Sequence, residues 1–281
     1  MGAVGLLEQD IWILVIKGNE LKILLTNDDG VMAPGIRTLQ ARLIEAGHDV
    51  ILIAPDRERS AASHSLSLKR DLRVRKLAEK EYSVDGTPVD CVVVALQQII
   101  NEPVDLVISG INAGQNMGED VLYSGTVAAA LEAALTGLKA IAISINSYQD
   151  QIYGTAAEWM VKLLRMGISE LCVPHGVLNI NVPNLSSDQI KGVRLTRTGH
   201  RRYYNFIKIT EEHPDGFSYR IGGDSPIWDN VKGSDAEAVS EAYVSITPLG
   251  FELTGAASFP QILEWLEERQ LLQLKESGDA L

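Results

Sequence analysis

Short apolar runs alternate with amphipathic stretches along the first two thirds of the chain. Residues 22–26 (K-I-L-L-T) form an apolar run that stops at Asn27, two aspartates and Gly30. Pro34 then opens a stretch in which Ile36, Leu39, Leu43 and Ile44 recur at helical spacing, and Gly47 closes it. Residues 49–54 (D-V-I-L-I-A) read as a second buried strand. Strand, helix and strand fit within about 33 residues, the size of a βαβ unit, whose right-handed crossover makes the strands parallel neighbours. Residues 66–77 alternate loosely, as a strand with one wet face does, and 82–84 read as another short strand. Thr87, Pro88 and Asp90 have the order of an N-cap, a first helical position and a first-turn acid. The helix they start runs through Val93, Leu96, Gln97 and Ile100, and Pro103 ends it. Buried strands follow at 105–109, 140–144 and 177–182, with helices over 127–136 and 155–166. Strand–helix alternation of this kind defines an α/β fold with a mostly parallel sheet flanked by helices.

Beyond Asn184 the texture changes. Residues 194–209 are basic and aromatic, and Asp215-Gly216 and Gly222-Gly223 are turn signals, so a projecting β-hairpin or small subdomain is expected. Residues 243–247 read as a strand. Residues 259–274 read as a terminal amphipathic helix with Ile262, Leu263, Leu266 and Leu274 on its apolar side.

Composition narrows the function. The 281 residues carry a net charge of −12, which excludes the usual basic surface for a nucleic-acid polymer. A single nucleotide remains open. The apolar run 11–16 is too short to span a bilayer, and Glu8 and Asp10 precede it where a signal peptide is basic, so no membrane is expected. Residues 1–20 read as an extension outside the fold or an added edge strand, with translation starting at Leu21 as a further expectation. Cys91 and Cys172 form no disulfide framework and no zinc spacing, which fits a cytoplasmic protein with Cys91 as a small core hydrophobe.

The candidate chemistry sits where the first strands end. In parallel sheets, ligands bind beyond the carboxyl ends of the strands. Three polar loops emerge there, carrying Asp28 and Asp29, then Ser60 and His64, then Asn112 and Asn116. Asp28-Asp29-Gly30 suits a solvated turn or a site for a hard cation; adjacent carboxylates need compensation when buried. Asp, Ser and Asn oxygens favour Mg²⁺, Mn²⁺ or Ca²⁺ over zinc. His64 is a candidate phosphate contact or proton donor, or a histidine capping a turn. Ser124-Gly125-Thr126 at a helix start suits an anion or plain capping by Ser124. Asn112 and Asn116 are candidate donors to a metal and a phosphate, or turn formers. The dinucleotide fingerprint and the Walker A pattern are absent, which argues against hydride transfer and P-loop NTP hydrolysis.

Taken together these loops resemble the survival protein SurE family of nucleotidases. The resemblance rests on T-N-D-D-G-V-x-A-P-G-I at 26–36, A-P-D-R-E-R-S at 54–60 and S-G-I-N-x-G-x-N-M-G at 109–118. Y-S-G-T-V-A-A-A at 123–130, N-I-N-V-P at 179–183 and Y-V-S-I-T-P-L at 243–249 complete it. It covers nearly the whole chain from Leu21 and implies a single domain over 21–281, with a Rossmann-like core to about residue 190 and a hairpin and oligomerisation region after it. By resemblance, Asp28, Asp29, Ser60 and Asn112 hold one divalent metal ion per subunit, Mg²⁺ or Mn²⁺. Asn27, Asn116, Ser124, Gly125 and Thr126 lie near the phosphate, and Asp28, Asp29 and His64 are catalytic. The implied reaction is hydrolysis of nucleoside 5′- and 3′-monophosphates. The alternatives are a phosphatase of other phosphomonoesters or short polyphosphate, and a non-catalytic nucleotide sensor. The implied assembly is a homodimer or homotetramer in which the C-terminal helix exchanges between subunits. Two departures stand out: no glycine precedes His64, and Ala242 stands where the family often has glycine.

Overall fold

The computed structural model describes residues 20–202, 207–221, 227–229, 231–255, 257–269 and 271. The N-terminal segment 1–19, Tyr203, Tyr204 and Leu274 lie outside the described residues. Strands β1 (Lys22–Thr26), β2 (Asp49–Pro55), β3 (Val74–Ala78) and β4 (Glu81–Val84) come first, with helix α1 (Pro34–Glu45) between β1 and β2. Helix α2 (Pro88–Val94), β5 (Leu106–Ala113), α3 (Gly125–Leu135), β6 (Ala140–Asn146), α4 (Tyr153–Arg165) and β7 (Gly176–Pro183) complete the alternation. After them come β8 (Gly192–Leu195), β9 (Arg201–Arg202), β10 (Ile207–His213), β11 (Gly216–Ile221) and β12 (Ile227–Trp228), then α5 (Asp235–Ser240) and β13 (Tyr243–Gly250).

Nine strands form one sheet in the order β3–β4–β2–β1–β5–β6–β7–β13–β8. β1 pairs in parallel with β2 on one side and β5 on the other, and β3 alone is shown antiparallel to its neighbour, β4. Ile23, Leu25, Ile108, Ile141 and Ile180 turn to one face, where they meet α1 and α4. Leu24 and Val107 point to the other, on which α2 packs beside α3. Chain order reverses between β1 and β5, so the crevice at their carboxyl ends is a topological switch point.

Three sequence expectations change. The wet-faced strand over 66–77 shrinks to β3, which is exposed throughout; 66–73 carries no strand. The helix from Thr87 does start with a capping box between Thr87 and Asp90, but its α-part ends at Val94 and continues as a single π-turn over Ala95–Ile99. β5 runs on to Ala113 through a register shift after Ser109, and the Gly110–Ile111 peptide is cis. Its glycines made that stretch read as a loop. The expected hairpin is present as β10 paired with β11.

Ala242 follows α5 with φ +67, and its N–H reaches the carbonyl of Val239 at 3.1 Å. It is a left-handed helix terminus built without the glycine such a position favours. Both cysteines are buried and free. No described helix is long and apolar enough to cross a membrane. The chain divides into two compact units after Leu249. The second holds α6 (Phe259–Glu268), shorter than the expected helix, with Phe259, Ile262, Leu263 and Trp265 exposed.

Candidate active site

Asn27 shapes the turn after β1. Its amide donates to the Gly30 carbonyl at 3.0 Å and accepts the Gly30 N–H at 3.2 Å. These two bonds brace the turn, and the residue is fully buried, which fixes Asn27 at the strand end. Gly30 takes φ +104, and a Cβ there would crowd the backbone of Arg57. That turn lets two consecutive acids leave the strand in different directions.

Asp28 points toward the first turn of α3. The Thr126 hydroxyl donates to its Oδ1, and the backbone N–H groups of Gly125 and Thr126 also face the carboxylate. Burial pushes the Asp28 carboxyl up, and those donors pull it partly back. The helix start expected to bind an anion thus holds the chain's own carboxylate. Ser124 caps the same turn through a bond from the Val127 N–H at 3.0 Å.

Asp29 accepts the Ala113 N–H at 3.0 Å, which ties the β1 turn to the end of β5. Its carboxyl is pushed up to about 6, by burial first and then by the charge of Asp28. Among the described residues neither acid has an ion-pair partner. The Tyr153 phenol lies close enough to Asp29 that burial and this charge push it up to about 12.

The second loop arrives with the Arg59 N–H on the Asp28 carbonyl at 2.7 Å. Ser60 is exposed, and its hydroxyl donates to Glu58 at 2.6 Å. His64 pairs with Glu132 on α3. Its Nε2 is 2.7 Å from Glu132 Oε2, six residues or about 9 Å along α3 from Thr126. Ser63 before it has φ +50, so the missing glycine leaves a left-handed residue with a side chain.

Asn112 donates its amide N–H to the Gly114 carbonyl at 2.7 Å, and among the described residues no protein group bonds its Oδ1. Asn116 is clamped. Its N–H donates to Asn181 Oδ1 at 2.9 Å, and its carbonyl accepts from Asn179 at 2.8 Å and Asn181 at 3.0 Å. Its side chain donates to Ser144 at 2.9 Å. Asn112, Ser144 and Asn181 stand in register across β5, β6 and β7, one level above Ser109, Ala142 and Asn179. Asn179, Asn181 and Ser144 are fully buried polar residues that position Asn116, and sequence reasoning did not assign them. Two asparagines two apart in an apolar strand were the available signal.

Asp235 secures the far side. It accepts the Gly118 N–H at 2.9 Å and the Gly199 N–H at 2.8 Å, joining the loop after β5 to the region before β9.

The profile of the Survival protein SurE family matches residues 23–205. The chain belongs to the SurE family. The SurE relatives include the 5′-nucleotidase SurE of Mannheimia succiniciproducens, 45% identical over 88% of this chain and 99% of its own. The 5′-nucleotidase SurE of Carboxydothermus hydrogenoformans is 41% identical over 88% of this chain and 97% of its own. The crystal structure of a SurE protein from Aquifex aeolicus superposes with a TM-score of 0.77 at 38% identity, over 87% of this chain and 99% of that one.

Proposed function

We propose that this chain is a divalent-metal-dependent nucleotidase that releases phosphate from nucleoside 5′- and 3′-monophosphates. It is a phosphoric monoester hydrolase of the SurE family. The observation that carries the metal reading is the pair Asp28 and Asp29, adjacent, largely buried and without a cation partner among the described residues. Such a pair is costly unless a cation joins it. Asp28, Asp29, Ser60 and Asn112 are the residues that would hold Mg²⁺ or Mn²⁺, all through hard oxygens. Once bound, the ion supplies polarisation of a phosphoryl oxygen and a water of lowered pKa.

The chain's own residues do the rest. Thr126 and the first turn of α3 hold Asp28 in place. Asn116, fixed by its asparagine clamp, offers its remaining amide N–H to a phosphoryl oxygen. Ser124 keeps the α3 start in shape beside it. His64, oriented by Glu132, is assigned the proton for the leaving oxygen; a His64→Ala enzyme with full activity on poor leaving groups would remove that role. Preorganised donors of this kind lower the barrier because they need no rearrangement as charge moves.

The test is phosphate release from AMP, GMP and an aryl phosphate with Mn²⁺, with Mg²⁺ and with EDTA, alongside Asp28→Ala. Metal-dependent release from the nucleotides, lost in the variant, is the expected result. Release from the aryl phosphate alone would redirect the assignment to another phosphomonoester. A cytoplasmic homodimer or homotetramer is the proposed assembly, supported by the exposed apolar side of α6. Sedimentation at several concentrations tests it, and a monomer at all of them refutes it.

A further inference from the structure

β6 ends at Asn146, beside the carboxyl end of β5, and the chain turns through Ser147 and Tyr148 before α4. The turn is tied at both ends. Gln149 N–H donates to the Ser147 hydroxyl at 3.2 Å. At the far end, Asn184 accepts the Ile152 N–H at 2.8 Å and donates to the Asp150 carbonyl at 3.1 Å. The Tyr148 ring lies directly over Gly114, where a Cβ would overlap it. Gly114 has φ +103, so the backbone itself demands the residue that lets the ring settle.

That leaves a large aromatic side chain resting on a rigid strand end while 62% exposed. Ligand sites commonly set an aromatic face beside a few placed polar groups. Here the border is immediate. The carbonyl of Gly114 accepts from the amide of Asn112, and the N–H of Ala113 between them donates to Asp29. Two residues of extended backbone, about 7 Å, separate the ring's support from Asn112. A ribose sets a phosphate and its base apart by a similar span.

We propose that Tyr148 is the platform on which the base of a nucleoside monophosphate stacks. This rests on the nucleotidase reading and goes further, because it makes the base a recognised part of the substrate. Stacking on a tyrosine face is tolerant of base identity, so purines and pyrimidines both bind, the larger ring more tightly. The ring arrives pre-positioned, so little side-chain freedom is lost when the base docks.

The experiment compares kcat/KM for AMP with that for ribose 5-phosphate, which carries the same phosphate and sugar without the base. Wild type, Tyr148→Ala and Tyr148→Phe are measured with Mn²⁺. The ratio of the two values falls about tenfold in Tyr148→Ala, the scale of one base–aromatic stack, and stays within about twofold in Tyr148→Phe. An unchanged ratio in the alanine variant overturns the proposal. So does an equal fall in the phenylalanine variant, which would assign the effect to the hydroxyl. Wild-type protein idle on both substrates refutes the nucleotidase reading itself, and the platform with it.

Discussion

The clamp around Asn116 sets up a comparison between two asparagines of one strand. Asn181→Ala removes both the acceptor for the Asn116 N–H and one donor to its carbonyl. Asn179→Ala removes only a donor, and the Asn116 carbonyl keeps the other. Asn116 is 6% exposed, so its stranded N–H finds no ready water. An unsatisfied buried N–H costs about 1–3 kcal/mol, and an ordinary bond about 1 kcal/mol. Asn181→Ala therefore destabilises by roughly 2–4 kcal/mol and Asn179→Ala by about 1 kcal/mol. Both substitutions remove the same atoms from the same strand, so their cavity terms largely cancel in the difference. The Oδ1 of Asn179 also has no partner among the described residues, so its removal returns part of the cost. Equilibrium urea unfolding of metal-free protein measures both variants, read as midpoint shifts at constant slope. Asn179→Ala costing as much as Asn181→Ala would refute the assignment of these bonds as the clamp.

Four other outcomes follow from the structure. Asp29 holds its proton to about pH 6 in the folded chain, against an ordinary value of 3.8. Its stability contribution is thus fully present below about pH 4 and is lost as pH rises through about 6, on the order of 3 kcal/mol. In metal-free protein, the melting temperature of Asp29→Asn relative to wild type should climb over that window and level off above it; a flat difference would contradict the shift. Ala242→Gly and Ser63→Gly each relieve a left-handed residue, and differential scanning calorimetry should show a gain of up to about 1 kcal/mol. Gly35→Ala drives a Cβ into the Ile111 carbonyl and the Tyr153 ring, so urea unfolding should show a loss of about 1–3 kcal/mol. Thr87→Ala opens the capping box of α2 and should cost about 1 kcal/mol by the same measurement.

The alternation of runs and amphipathic stretches was enough to read the parallel core, because each buried strand is a short apolar run bounded by turns. It also placed three polar loops at one edge, and β2, β1 and β5 do stand side by side. The reading ran out where local composition and tertiary role diverge. Gly110 and Gly114 have the composition of a loop, yet their stretch is held in the sheet by pairing with β6. Leu66 and Leu68 alternate as strand residues do, but no strand pairs with them and both are exposed. Asn179 and Asn181 look like polar interruptions until the loop they hold is folded over them. Thr126 was legible as part of a helix start, but its bond to Asp28, 98 residues away in sequence, depends on how α3 meets β1.

The carboxylate that answers the free amides of α3 is also one that a cation would draw on. Asp28 is at once a helix cap and a candidate ligand, so its electron density is shared between two claimants. Whatever a cation takes, the helix end gives up. Amide hydrogen exchange at Gly125 and Thr126 then becomes a built-in gauge of occupancy, read on the backbone without any substrate present. The opening of α3, a helix rich in buried alanines, would register the filling of a site on the neighbouring strand.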